Sequence, residues 1–270
     1  MGKVFYVDVA RCTGCYNCQL ACKDEHCGND WTPYAKPQPE IGQFWCKLEE
    51  HVCGTMPKVK IHYISKPCNH CRNAPCMAAA KDGAVYRRDD GLVIIDPEKA
   101  VGQKQIVDAC PYGAIYWNEE LQLPQKCTGC AHLLDNGEKL PRCVEACPTD
   151  ALRFGEEEEL KDLIQGATVM SPELGLHPRV YYRNIPGKFI AGTVYDPETQ
   201  EIIEGARCHL SNGAKNWDVY TDDFGDFWFR DLDVGTYTLR ITAPGYEQQM
   251  FENLNTAQDI NVGDIAMKKA

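Results

Sequence analysis

Sixteen cysteines stand in this chain of 270 residues, and fifteen of them lie at or before Cys147. The densest group is Cys12, Cys15, Cys18 and Cys22, spaced x2, x2 and x3. Three thiolates on so short a loop converge on one iron–sulfur cube, and the fourth turns toward a second cube. Zinc prefers four ligands gathered as pairs, so a triple followed by a lone fourth cysteine fits zinc poorly. A second group holds Cys68, Cys71 and Cys76, with Ala80 where a fourth cysteine belongs. A third is reduced to Cys110-Pro111; the same spacing counted backwards meets Ala100, Gln103 and Ile106. The fourth, Cys127, Cys130, Cys143 and Cys147-Pro148, is complete but carries an insertion.

Counting ligands predicts how the groups pair. The first and fourth each offer three ligands and one remote cysteine, so they complete each other. One 4Fe–4S cluster is then held by Cys12, Cys15, Cys18 and Cys147, and another by Cys22, Cys127, Cys130 and Cys143. The second group lacks a remote cysteine and the third is only that, which gives a cluster on Cys68, Cys71, Cys76 and Cys110. A fourth cluster has lost all its ligands together, so the expectation is three 4Fe–4S clusters. Cys27, Cys46, Cys53 and Cys208 read as small buried hydrophobes. His70, His132, Arg72, Lys126 and Arg142 flank ligands, where a hydrogen bond to sulfur or a nearby cation would tune a potential; for the two histidines the ordinary reading is a structural or surface role. The sequence offers no nucleophile–base pair, phosphate-binding glycine loop or zinc-hydrolase signature, so no catalytic residue is expected. The acids of Thr221–Phe227 read as a turn.

These ligands need a scaffold of loops and short elements. The expected fold class is α+β: a double ferredoxin-like iron–sulfur domain over residues 1–165, a connector over 166–187, and an antiparallel β-sandwich over 188–270. VFYVDV and ALRFG read as strands, and Ala84–Asp96 as a hairpin turning at Asp90-Gly91. Asp96-Pro97 reads as the start of a helix running nearly to Cys110. EEEELKDLI reads as an acidic helix or solvated face, and the Pro-rich stretch from Asp30 to Met56 as an insertion shaped for an interface. FIAGTVYD, EIIEGARCHLS, DVYTDDFGDFWF, GTYTLRITA and DINVGDIAM supply the sandwich. The formal charge of −11 argues against coating nucleic acid or an anionic membrane. No run of apolar residues is long enough to span a bilayer, and the first residues lack a secretory pattern. The expected location is the cytoplasm, with export only if a partner carries the signal.

The segments DVARCTGCYNCQLACKDEH, KPCNHCRNAPC, GLVIIDPEKA, ACPYGAIYWNEE, QKCTGCAHLLD, PRCVEACPTDALRFG and PELGLHPRVYY together resemble the iron–sulfur subunits of the dimethyl sulfoxide reductase family of molybdopterin oxidoreductases. The loss of one cluster and the appended sandwich, with GTVYDPETQEIIEGARCHL, resemble the transhydroxylase branch of that family, whose tail domain is transthyretin-like. The resemblance implies a non-catalytic electron-transfer subunit in a heterodimer. Its large partner would hold molybdenum with two molybdopterin guanine dinucleotides and act on a hydroxylated aromatic. Alternatives are the same subunit in a catechol dehydroxylase or other molybdenum reductase, a free-standing polyferredoxin, and a purely structural role.

Overall fold

Alternation and β-branched residues make Lys3–Asp8 strand β1, whose Val4, Phe5, Tyr6 and Val7 are all buried. The computed structural model describes residues 2–270. It divides into two units: one of residues up to Glu50 with His62–Ile185, the other of His51–Ile61 with Pro186–Ala270.

In the first unit, β1 leads to helix α1 (Asn17–His26), then to a hairpin of β2 (Cys46–Thr55) and β3 (Lys58–Pro67), whose tip belongs to the second unit. Short elements follow: α2 (Pro75–Ala79), the hairpin β4 (Val85–Arg87) and β5 (Val93–Ile95), and α3 (Gln105–Asp108). A further hairpin, β6 (Tyr116–Asn118) with β7 (Leu123–Gln125), precedes α4 (Ala131–Asp135) and α5 (Arg142–Glu145). Strands β8 (Leu152–Glu156) and β9 (Val180–Arg183), separated by α6 (Lys161–Ile164), flank β1 in one sheet. β8 runs antiparallel to β1 and β9 parallel to it. Phe5 packs on Phe154 at 4.7 Å between ring centroids, and burying such a side chain contributes roughly 1.5–3 kcal/mol. The core of this unit is unusual in its sulfur: Cys18, Cys22, Cys46, Cys68, Cys127 and Cys143 sit in it beside Val7, Trp45, Leu92 and Tyr182.

Three expectations need correction here. The helix expected from Asp96 is only a capped turn followed by α3. Asp96 does accept from the amides of Glu98 and Lys99, at 2.9 and 3.2 Å. Gly102, at φ +76°, then turns the chain out of the helix, and the Gln103 side chain takes the Lys99 carbonyl at 2.9 Å. The expected connector is not one: β9 lies within it, and the first unit extends to Ile185. The insertion from Asp30 to Met56 contains the whole of β2.

The second unit carries seven strands in two sheets with a core between them. β10 (Lys188–Tyr195), β13 (Asp226–Leu232) and β16 (Ile260–Ala266) form the first sheet. β11 (Arg207–Ser211), β12 (Asn216–Tyr220), β14 (Thr236–Thr242) and β15 (Gln249–Asn255) form the second. Strict alternation sets the inward residues; along β14, Tyr237, Leu239 and Ile241 are buried. The acids after Thr221 form the expected turn, in which Asp222 Oδ1 accepts from the amides of Phe224 and Asp226. β15 has no counterpart among the expected strands, because MFEN mixes polar and apolar residues without a clean face.

Candidate metal centres

In one of the four Cys-x-x-Cys steps, Cys15–Cys18, the positive φ falls on Tyr16, at +61°. The other three share one feature: the residue before the second cysteine has positive φ, Gly14 at +69°, His70 at +41° and Gly129 at +66°. The turn aims that residue's N–H at the preceding sulfur. Gly129 N reaches Cys127 Sγ at 3.3 Å and His70 N reaches Cys68 Sγ at 3.5 Å. Glycine adopts this conformation freely. It also leaves room: a Cβ on Gly14 would lie 2.4 Å from the Tyr63 ring, and one on Gly129 would lie 2.8 Å from Leu92.

Folding brings the twelve cysteines into three sets. Cys12, Cys15, Cys18 and Cys147 line one cavity, walled by Val7, Leu48, Ala151 and Leu152. Cys68, Cys71, Cys76 and Cys110 line another, walled by Pro75, Val93 and Ile115. The remaining four, Cys22, Cys127, Cys130 and Cys143, are buried together, and Cys143 feels the other three electrostatically. Among the described residues no three acidic, histidine or cysteine side chains converge as they would on a single metal ion.

Contacts run from the first set to the second and from the second to the third. Cys46 lies between the first and second, its thiol in hydrogen-bonding contact with Cys18 and Cys143. Cys68 of the third set acts on Cys127 of the second. Sequence spacing gave no signal for Cys46 beyond its burial, which is complete, as it is for Cys208; Cys27 and Cys53 are only half-buried. Ser65 also meets the Cys46 sulfur, at 3.4 Å.

Burial pushes these thiols up, Cys76 and Cys127 to about 11 and Cys71 and Cys130 to about 12. An apolar cavity cannot hold four thiolates without positive charge among them. The donor chemistry therefore fits a 4Fe–4S cluster: four soft ligands per set, apolar walls, and peptide N–H groups aimed at sulfur. Where a fourth cluster would stand, Ala100 and Ile106 are fully buried in an apolar core with Ala84, Val85 and Ile95. Gln103 fills the rest, accepting from Lys81 N at 2.8 Å.

The flanking polar residues divide clearly. His132 Nε2 bonds Glu25 at 3.0 Å, and Arg142 binds both Glu25 and Glu145. Arg72 pairs with Glu157. His70 Nδ1 accepts from Val93 N at 3.0 Å, which leaves the imidazole proton on Nε2. That Nε2 has no partner among the described residues, and His70 lines the third cavity.

This geometry defines an iron–sulfur protein, and comparison with known proteins agrees. A 4Fe-4S dicluster domain matches residues 59–157, and a carboxypeptidase regulatory-like domain matches residues 190–268. The pyrogallol hydroxytransferase small subunit of Pelobacter acidigallici is 43% identical over 251 residues, covering 88% of this chain and 90% of that protein. A component of the anaerobic dimethyl sulfoxide reductase of Escherichia coli K12 is 36% identical over 165 residues, 58% of this chain and 75% of that one. A component of the tetrathionate reductase of Salmonella typhimurium is 32% identical, over 68% of this chain and 73% of that one. The protein therefore belongs to the iron–sulfur subunit family of the molybdopterin oxidoreductases related to dimethyl sulfoxide reductase. Members of this family are the electron-transfer subunits of molybdoenzymes.

Proposed function

We propose that this chain is the small subunit of a pyrogallol–phloroglucinol transhydroxylase. In this reading it carries three 4Fe–4S clusters on a double ferredoxin-like domain. Their ligands are Cys12, Cys15, Cys18 and Cys147; Cys22, Cys127, Cys130 and Cys143; and Cys68, Cys71, Cys76 and Cys110. The observation that carries it is the coincidence of twelve cysteines in three four-thiol sets with an apolar plug at the fourth position. Similarity over nearly the whole length to a pyrogallol hydroxytransferase small subunit supports the choice of branch.

When bound, such clusters supply one-electron transfer. The protein's own work is to hold them in succession, to exclude water with Val7, Leu48, Val93 and Ile115, and to aim amides at sulfur. The catalytic metal, molybdenum on two molybdopterin guanine dinucleotides, resides on the large partner of a heterodimer. Exchange of a hydroxyl between two aromatics is redox-neutral overall, so this chain adjusts the oxidation state of the partner's metal and need not deliver electrons each turnover. The complex works in the anaerobic cytoplasm. No helix among the described residues is long and apolar enough to cross a membrane.

The reductase relatives favour a second reading, in which the same subunit feeds a dehydroxylase or other molybdenum reductase with electrons from outside. Anaerobic co-purification decides between them. A large molybdenum subunit, about twelve iron atoms on this chain and hydroxyl exchange without an external donor support the transhydroxylase. A requirement for stoichiometric donor overturns it in favour of the reductase, and isolation without a partner overturns both.

A further inference from the structure

The third thiol set differs from the others in the charge around it. Lys126 is 3% exposed, and its Nζ donates only to the carbonyls of Val93 and Cys127. Arg87 donates to the carbonyls of Cys71 and Arg72, both at 2.7 Å, and to that of Gly91. Arg179 is 8% exposed, with Nε and Nη1 unpartnered. None of the three forms an ion pair among the described residues; Glu157, paired with Arg72, acts on Arg179 only at longer range. All three act electrostatically on His70, which lines the third cavity; Lys126 acts on two thiols of the third set, Cys76 and Cys110, and on one of the second, Cys127.

Beside the other sets the arginines are answered by carboxylates, while Lys23, next to Cys22 of the second set, donates to the carbonyls of Pro39 and Gly42 and is only partly buried. Arg142 beside the second set has Glu25 and Glu145. Arg11 beside the first set has Asp150. Arg72 and Arg88, near the third, have Glu157 and Asp135. A buried cation without an anion is costly, and removing its counter-charge is more so. A four-iron cluster with its four thiolates is itself an anion, and reduction adds one further negative charge. Unanswered cations therefore stabilise the reduced state more than the oxidised one. The free Nε2–H of His70 acts in the same direction as a donor beside the cavity.

We propose that Lys126, Arg87 and Arg179 make the Cys68–Cys71–Cys76–Cys110 centre the electron sink of the chain, the first reduced and the one of least negative potential. This rests on the three-centre reading above. The apolar core at the fourth position makes the same centre the end of the series, so an electron arriving there has no further cluster to enter.

The test is an anaerobic titration of the purified complex followed by electron paramagnetic resonance. Each centre takes one electron from dithionite, which ends as sulfite. Cys110→Ser identifies the third centre by the signal it alters or removes. In the unmodified complex that signal is expected first. Lys126→Met should disfavour its reduction by about tenfold or more, 59 mV for one electron, while Lys126→Arg stays within about threefold of the unmodified complex. The Cys12 centre should move by less than about threefold in either variant. Appearance of another centre first, or a Lys126→Met signal within about threefold of the original, overturns the proposal. Should a variant lose iron, the order of reduction in the unmodified complex still decides. An iron assay that returns other than three centres defeats the three-centre reading instead.

Discussion

A cysteine buried beside three others prefers to remain a thiol, and that preference has a sign that can be followed with pH. Burial raises Cys76 and Cys127 to about 11 and Cys71 and Cys130 to about 12, against an ordinary thiol value of 9.0. The folded apoprotein thus binds more protons than the unfolded chain between these values. Its stability is fully present below pH 9.0 and falls as pH rises toward 11 and 12. The loaded protein, whose thiolates carry iron in place of protons, should show no such slope; chemical unfolding at several pH values compares the two. Truncating one ligand, Cys130→Ala, should remove about four of twelve iron atoms and the corresponding signal, checked by iron assay. The turn before the second cysteine is equally testable. Gly129→Ala forces a side chain into φ +66° against Leu92, and should cost about 1–3 kcal/mol in thermal unfolding. His70 takes the same conformation without being glycine, which spacing alone does not reveal.

Among elements, the parts legible in the sequence were those in which one local rule dominates. Ligand spacing marked all twelve cysteines that the fold gathers into sets. Asp90-Gly91 marked its hairpin, and clean alternation marked six of the seven sandwich strands. What escaped depends on distant partners. β9 is a strand because β1 offers it a parallel edge. β2 and β3 carry long polar residues on one face and pair with each other, so β2 reads as part of an insertion and β3 does not read as a strand. Lys126, Arg87 and Arg179 are ordinary basic residues until folding strips them of counter-ions. The segment around α3 is a further case, because Gln103 bonds three loop groups in place of a longer helix. Gln103→Leu keeps the volume and removes those bonds, leaving the Lys81 amide and Lys99 carbonyl unanswered. It should lower stability by about 1–3 kcal/mol with iron content unchanged, measured by thermal unfolding alongside an iron assay.

Across the whole molecule, sulfur is distributed so that metal holds up one unit and not the other. Six cysteines enter the core of the first unit, whereas the sandwich core contains Cys208 alone among apolar residues such as Ile190, Leu210, Phe227 and Leu239. Removing the clusters would leave the first unit with apolar cavities and thiols in place of packed inorganic cores, and its short helices, several of four or five residues, add little stability of their own, so the apo first unit is folded but the weaker of the two. The sandwich keeps every contact of its core. Oxidative cluster loss under chelator should therefore expose residues up to Glu50 and His62–Ile185 to protease first. A resistant fragment that begins near Pro186 and ends at Ala270 is expected, identified by mass spectrometry. Its survival assigns the chain's metal dependence to the first unit. Equal digestion of both units would show that the sandwich also depends on the clusters, against the separation of the two cores.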